Sequence, residues 1–133
     1  MAEAILHSMI KQRKVKWWDV ISRGIKAKTG APISENSLIA LQEIGINYAD
    51  FKAKKLTNKQ IESCVLVVCM TVAQKQMFKN YKNVICVRDL CGYDISDPYG
   101  GDLELYRDAR DSLIGACKNV MEFIKNYKIT EDN

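Results

Sequence analysis

Cys64-Val65-Leu66-Val67-Val68-Cys69-Met70 and Asn83-Val84-Ile85-Cys86-Val87-Arg88, joined by a stretch that begins Thr71-Val72-Ala73-Gln74, decide the fold class. The first run is continuously apolar, as in a strand buried on both faces. Thr71 with Gln74 at the third following position has the form of a capping box, so a helix is expected from residue 72 to about 81, leading into the strand 83–88. Strands alternating with helices imply a parallel sheet, and right-handed crossovers limit its topology. The expected class is α/β: a three-layer domain, a parallel sheet with helices on both faces.

The flanking segments fit this scheme. Thr57-Asn58-Lys59-Gln60 is a second capping box and starts a short helix ahead of Cys64. Ser34 is placed to cap a helix that runs through Ile44 and is closed by Gly45, with irregular stretches over 24–34 and 46–56. Ala2, Ile5, Leu6, Met9 and Ile10 recur at helical spacing over residues 2–14, and Lys11, Arg13 and Lys14 suit the negative end of the helix dipole. Val15–Ser22, with Trp17, Trp18, Val20 and Ile21, reads as a third strand. After a loop over 89–101, Asp102 caps a long helix with the apolar stripe Leu105, Ala109, Leu113, Ala116, Cys117, Val120, Met121 and Ile124. A doubly wound sheet normally begins with a central strand whose loop to the first helix binds the ligand. Here the first helix follows no strand, so the first central strand is expected to be missing.

With 133 residues, 47% of them apolar, the chain fits one domain over 1–133. No apolar run approaches the roughly 20 residues of a membrane helix. Met1–Ile10 carries Glu3 and His7 and lacks the basic leader and small-residue cleavage site of a secretory signal, so a cytoplasmic protein without a membrane partner is expected. The five cysteines form an odd set and read as reduced thiols; with a single histidine they do not make a zinc set. No metal and no other cofactor is expected. The net charge of +4 comes from scattered lysines such as Lys11, Lys52, Lys54, Lys79 and Lys82, without the clustered surface that nucleic-acid binding requires.

Met1-Ala-Glu-Ala-Ile-Leu, Trp18-Asp-Val-Ile-Ser22-Arg-Gly24, Lys54-Lys-Leu-Thr57, the strand ending in Met70-Thr71, and Asp97-Pro98-Tyr99-Gly100-Gly101 followed by Leu105-Tyr106 resemble, in order, the low-molecular-weight protein tyrosine phosphatases of bacterial type. In that family a first strand enters a Cys-x5-Arg loop, and a helix like the one at Met1 follows. The resemblance implies a cysteinyl-phosphate mechanism in which the aspartate of the Asp-Pro-aromatic loop protonates the leaving oxygen and later takes a proton from the hydrolytic water. It implies Asp97 as that acid, Tyr99 as a wall of the aryl slot and Ser22 as a support of the phosphate loop. The substrate implied is a phosphotyrosine protein or a small aryl phosphate.

The nucleophile has no counterpart in the sequence. Six positions beyond Cys64, Cys69, Cys86, Cys91 and Cys117 stand Met70, Lys75, Gly92, Asp97 and Phe123, none of them arginine. An inactive chain, N-terminally incomplete with respect to the family, is therefore the expectation. Two rival readings share the scaffold: an inert binding protein, and an arsenate reductase using Cys69 with Cys86 or Cys91. Each site residue also has a plain reading. Asp97 before proline suits a turn, Tyr99 a packed loop aromatic, Ser22 a strand-end hydroxyl, and Asp94 a second acid or a loop cap. Tyr93 and Trp17 or Trp18 are further candidates for the rim of the cleft. Without a first strand, the edges around Val15–Ser22 and Cys64–Met70 are expected to invite self-association.

Overall fold

The computed structural model describes residues 1–14 and 18–131, with side chains through Asn126. Its elements are α1 (Ala2–Gln12), α2 (Glu35–Gln42), α3 (Asn58–Ser63), β1 (Val67–Cys69), α4 (Val72–Met77), β2 (Val84–Cys86), α5 (Val87–Cys91) and α6 (Leu103–Glu131). β1 and β2 pair in parallel, with Val67 opposite Val84, Val68 opposite Ile85 and Cys69 opposite Cys86. α4 is the crossover between them.

The alternation of a strand explains the layers. Leu66, Val68 and Met70 pack against a core of Ala4, Ile5, Leu41, Leu113, Cys117 and Val120, drawn from α1, α2 and α6. Val67 and Cys69 face the other way, onto a second core with Ile61, Val84 and Cys86, walled by Phe78 and Tyr81. The sheet thus separates two apolar layers, which is why the run from Cys64 to Met70 is apolar at every position.

Local chemistry sets most boundaries. Ser34 Oγ accepts from Ser37 N–H (3.3 Å) and starts α2, and Gly45 in the left-handed region (φ 81°) turns the chain so that Ile46 N–H reaches Leu41 O (3.0 Å). At α3 the box is reciprocal: Thr57 Oγ1 accepts from Gln60 N–H (3.3 Å), and Gln60 Oε1 accepts from Thr57 N–H (3.2 Å).

Several expectations are corrected. Thr71 caps α4 through Gln74 N–H (3.1 Å), but Gln74 Oε1 accepts from Met70 N–H (2.9 Å) instead of closing the box, and the helix stops at Met77. Both strands are shorter than their apolar runs. Val87 and Arg88 belong to α5, because Asp89 Oδ2 accepts from Cys86 N–H (3.1 Å) and turns the strand end into a helix start that Gly92 (φ 86°) then closes. The third strand is absent from Trp18–Ser22, while Val15–Trp17 lie outside the described residues. There the backbone donors serve side chains: Val20 N–H donates to Asp19 Oδ1 (3.0 Å) and Ser22 N–H to Glu3 Oε1 (2.7 Å). Only a single parallel bridge, Gly24 with Lys55, follows. Between this segment and β1 lies an apolar cleft of about 510 Å³.

One charge network ties α2 to α6. Glu43 accepts from Arg107 Nη2 and Arg110 Nη1, both at 2.7 Å, and Arg110 Nη1 also donates to Ala40 O (3.0 Å). Hydrogen bonds from Arg107 lead the causes that lower the Glu43 carboxyl to about 2. A depressed carboxylate stabilises the fold above its unfolded pKa, and the contribution is lost as pH falls toward about 2. Glu43→Gln is therefore expected to lower the urea midpoint at pH 7, with the difference from the parent shrinking as the pH is lowered below that of an ordinary carboxylate. Thr57→Ala is expected to lower stability by about 1 kcal/mol, read as a shifted urea midpoint at unchanged slope.

Candidate active site

The loop after α5 is held at its base and turned at its tip. Ile95 N–H donates to Met70 O (3.0 Å), fixing the loop to the C-terminal end of β1. Asp94 accepts from Val72 N–H at the start of α4 (3.3 Å) and faces Arg88 (3.7 Å), so its role is that of a loop cap. At the tip, Tyr99 N–H donates to Asp97 Oδ1 (3.0 Å) and Gly101 N–H to Pro98 O (2.8 Å). Gly100 sits at φ 80°, the conformation that the third position of a type II turn requires. A Cβ at Gly101 would lie 2.9 Å from Pro98 O, so glycine is required there by contact. Asp102 Oδ1 then accepts from Leu105 N–H (3.0 Å) and starts α6.

Asp97 thus has the geometry of a turn residue and keeps its second carboxylate oxygen outside that turn. Tyr99 is 86% exposed, which removes the packed-aromatic reading. Both line an open groove of about 490 Å³ between the loop and α6, to which Asp94 and Asp108 also contribute. Tyr93 is tied to α6 through its hydroxyl, which donates to Ser112 O (3.1 Å). Trp18 lines the apolar cleft, and Trp17 lies outside the described residues.

Ser22 lies in the apolar cleft, not in the groove that holds Asp97. Its N–H and Oγ both donate to Glu3 Oε1, at 2.7 and 3.2 Å, while Tyr48 Oη donates to Glu3 Oε2 at 2.7 Å. Glu3 is the residue that sequence reasoning missed. Its one signal was an acid in the first turn of a helix, and its carboxylate is spent on tertiary contacts instead of the helix dipole. α1 begins with no side-chain cap, since its N-cap residue is Met1, whose side chain has no oxygen to offer. Burial lowers the Met1 ammonium from its ordinary value, with the charges of Glu3, Cys117 and Asp97 opposing.

Three of the five thiols, Cys69, Cys86 and Cys117, are built into the cores. Burial pushes Cys117 up to about 12 and Cys69 up to about 11, which leaves almost no thiolate at neutral pH. Cys86 is fully buried, and Cys91 Sγ rests on Tyr93 O (3.3 Å). Among the described residues no three His, Cys, Asp or Glu side chains converge as a metal ion would need, and no helix is long and apolar enough to cross a membrane.

The profile of the family described as low molecular weight phosphotyrosine protein phosphatase matches residues 1–129. The chain belongs to this family. It is 32% identical over 135 residues to a protein-arginine-phosphatase of Bacillus subtilis, spanning 94% of this chain and 87% of the relative. An arginine phosphatase structure from Geobacillus stearothermophilus superposes with a TM-score of 0.82 at 28% identity, covering 97% of this chain and 86% of that one. A low molecular weight protein tyrosine phosphatase from T. tengcongensis gives 0.83 at 28% identity, covering 91% and 87%. The α/β fold read from the sequence is that of the family.

The burial pattern makes a direct prediction for alkylation of the native protein with iodoacetamide at pH 7. Cys64 and Cys91, both partly exposed, are modified first, and Cys69, Cys86 and Cys117 follow only after unfolding. Peptide mass mapping of the labelled sites checks the order.

Proposed function

We propose that residues 1–133 are the body of a phosphomonoester hydrolase that is catalytically silent without a Cys-x5-Arg loop. The observation that carries this is a pairing of opposites: the Asp97–Gly101 turn is fully built on the end of β1, while no cysteine in the sequence has arginine six positions on. In this reading the chain is a single domain, and a strand with a Cys-x5-Arg loop, supplied to it, would complete the site. A thiolate there attacks phosphorus, Asp97 protonates the departing atom, the tyrosyl oxygen of an ester or the guanidine nitrogen of phosphoarginine, and the same carboxylate then takes a proton from the water that hydrolyses the cysteinyl phosphate. Tyr99 flanks the aryl group, and Ser22, joined to Glu3 at the head of α1, supports the loop.

The leaving group has two readings. Phosphotyrosine follows from the Asp-Pro-aromatic loop. Phosphoarginine is favoured by the relatives named as arginine phosphatases and by the groove itself, whose charged lining consists of Asp94, Asp97 and Asp108 and suits a cationic guanidinium. An arsenate reductase is disfavoured, since Cys69 and Cys86 are buried and Cys69 is held as the thiol.

The purified chain is expected to show no turnover of para-nitrophenyl phosphate or phosphoarginine. Turnover abolished by replacing one of its own cysteines would overturn the proposal. A fusion that places a strand and a Cys-x5-Arg loop ahead of Met1 is expected to be active, and Asp97→Asn in it to lower kcat on a poor leaving group by about 10² to 10⁴. Equal kcat for fusion and variant would remove Asp97 from the mechanism. The ratio of phosphoarginine to phosphotyrosine turnover by the fusion separates the two substrate readings.

A further inference from the structure

The fold gathers lysines that stand apart in the sequence. Two turns, closed by Ala27 N–H to Gly24 O (3.5 Å) and Ala31 N–H to Lys28 O (3.1 Å), lie along the segment 52–56. Gly24 N–H donates to Lys54 O (3.0 Å) and Leu56 N–H to Gly24 O (2.9 Å), while Gly30 N–H donates to Ala53 O and Ala53 N–H to Ala31 O, both at 2.8 Å. Lys55 N–H reaches Thr29 Oγ1 (3.3 Å). The ribbon so formed, 24–32 with 52–56, carries Lys26, Lys28, Lys52, Lys54 and Lys55 and no acidic residue. All five are exposed, and among the described residues none is in an ion pair. Exposure alternates over Phe51–Lys54, as in a strand, so Lys52 and Lys54 project from one side about 7 Å apart.

We propose that this ribbon is a docking surface for an acidic stretch of a partner protein, an extended segment with Asp or Glu at several alternate positions. One exposed ion pair contributes little, so the partner must offer several carboxylates at once, and alternate residues of an extended chain repeat at the spacing of Lys52 and Lys54. Five like charges on one short ribbon reinforce each other's field and select an anion. Other polyanions lack a foothold. Phe51, the aromatic that adjoins the ribbon, packs on Tyr48 with ring centroids 6.0 Å apart and leaves no platform for a nucleic-acid base. No large apolar side chain of the ribbon is exposed for insertion into a membrane. The ribbon also borders the Asp97 loop: Pro32 is four residues from Asn36, a span of at most about 14 Å, and Asn36 Nδ2 donates to Gly101 O (3.5 Å). A phosphoprotein held here by an acidic stretch brings residues beside that stretch to the groove. This choice of substrate rests on the phosphatase reading, whereas the docking does not.

The test is fluorescence anisotropy of a labelled peptide of six Glu alternating with six Ser, its ends blocked, titrated with the unaltered 133-residue chain. One-to-one binding is expected at about 50 mM NaCl, weakening about tenfold or more at about 300 mM. The same peptide with Gln for Glu is expected not to bind. Lys52→Glu with Lys54→Glu and Lys55→Glu is expected to weaken binding by about tenfold or more, and the corresponding triple Gln variant to fall between it and the parent. Lys79→Glu with Lys82→Glu and Lys118→Glu, the same change of net charge at exposed positions elsewhere, is expected to stay within about twofold of the parent. Equal losses in the two triple Glu variants, or no binding of the Glu peptide, overturn the proposal. So does tighter binding of a seven-residue thymidylate of equal charge, or of phosphatidylserine vesicles, which would make nucleic acid or a membrane the occupant. In the fusion that carries a Cys-x5-Arg loop, a phosphopeptide with an acidic flank is expected to show a lower KM than its neutral counterpart at unchanged kcat. Peptide binding with no turnover by the fusion sinks the phosphatase reading and leaves the docking surface standing, whereas turnover without peptide binding sinks the docking surface alone.

Discussion

The molecule depends on covering one face of α6. Ala109, Leu113, Ala116, Cys117, Val120 and Ile124 are all buried along that face, and α1, α2 and α5 pack against the helix. Two paired strands of three residues cannot sustain a layered domain alone, since an isolated two-stranded pair is marginal in water. Buried aliphatic side chains at about 1.5 to 3 kcal/mol each make the helical layer the source of cohesion. The position of α1, and with it Glu3 and the whole Trp18–Gly24 segment, follows from that packing. So does the approach of the Asp97 loop, which ends at the cap of α6.

What the sequence disclosed divides along a physical line. Helices announced by side-chain caps were legible at Ser34, Thr57, Thr71 and Asp102, because a cap is a local hydrogen bond between residues close in the chain. The order of strand, helix and strand was legible for the same reason. Val15–Ser22 was read as a strand from composition, and there the described part has no ladder, because a strand is made by its neighbour and this one has a cleft beside it. α5 was missed because cysteine is an unusual residue at a helix start; Asp89 and Gly92 carried the signal. Of the site, the turn chemistry of Asp97–Gly101 was legible, whereas the clasp of Glu3 on Ser22 and Tyr48 spans 19 and 45 positions and leaves no periodic trace.

The distribution of polar chemistry is equally telling. Three carboxylates line the Asp97 groove, three of the five thiols are held in apolar layers, and Arg107 and Arg110 are joined to Glu43. A chain arranged this way presents an acidic groove at its surface and keeps Cys69, Cys86 and Cys117 in its interior.

The single hydrogen bond from Ile95 N–H to Met70 O gives β1 a second role. The strand works as a mount: the Asp97 loop hangs from the residue that follows it, so the sheet edge fixes where the base of the loop sits. Volume changes at Val68 or Met70, whose side chains pack into the core, would move the anchor of that loop as well as alter folding. In this architecture the apolar interior sets the place of an exposed polar turn.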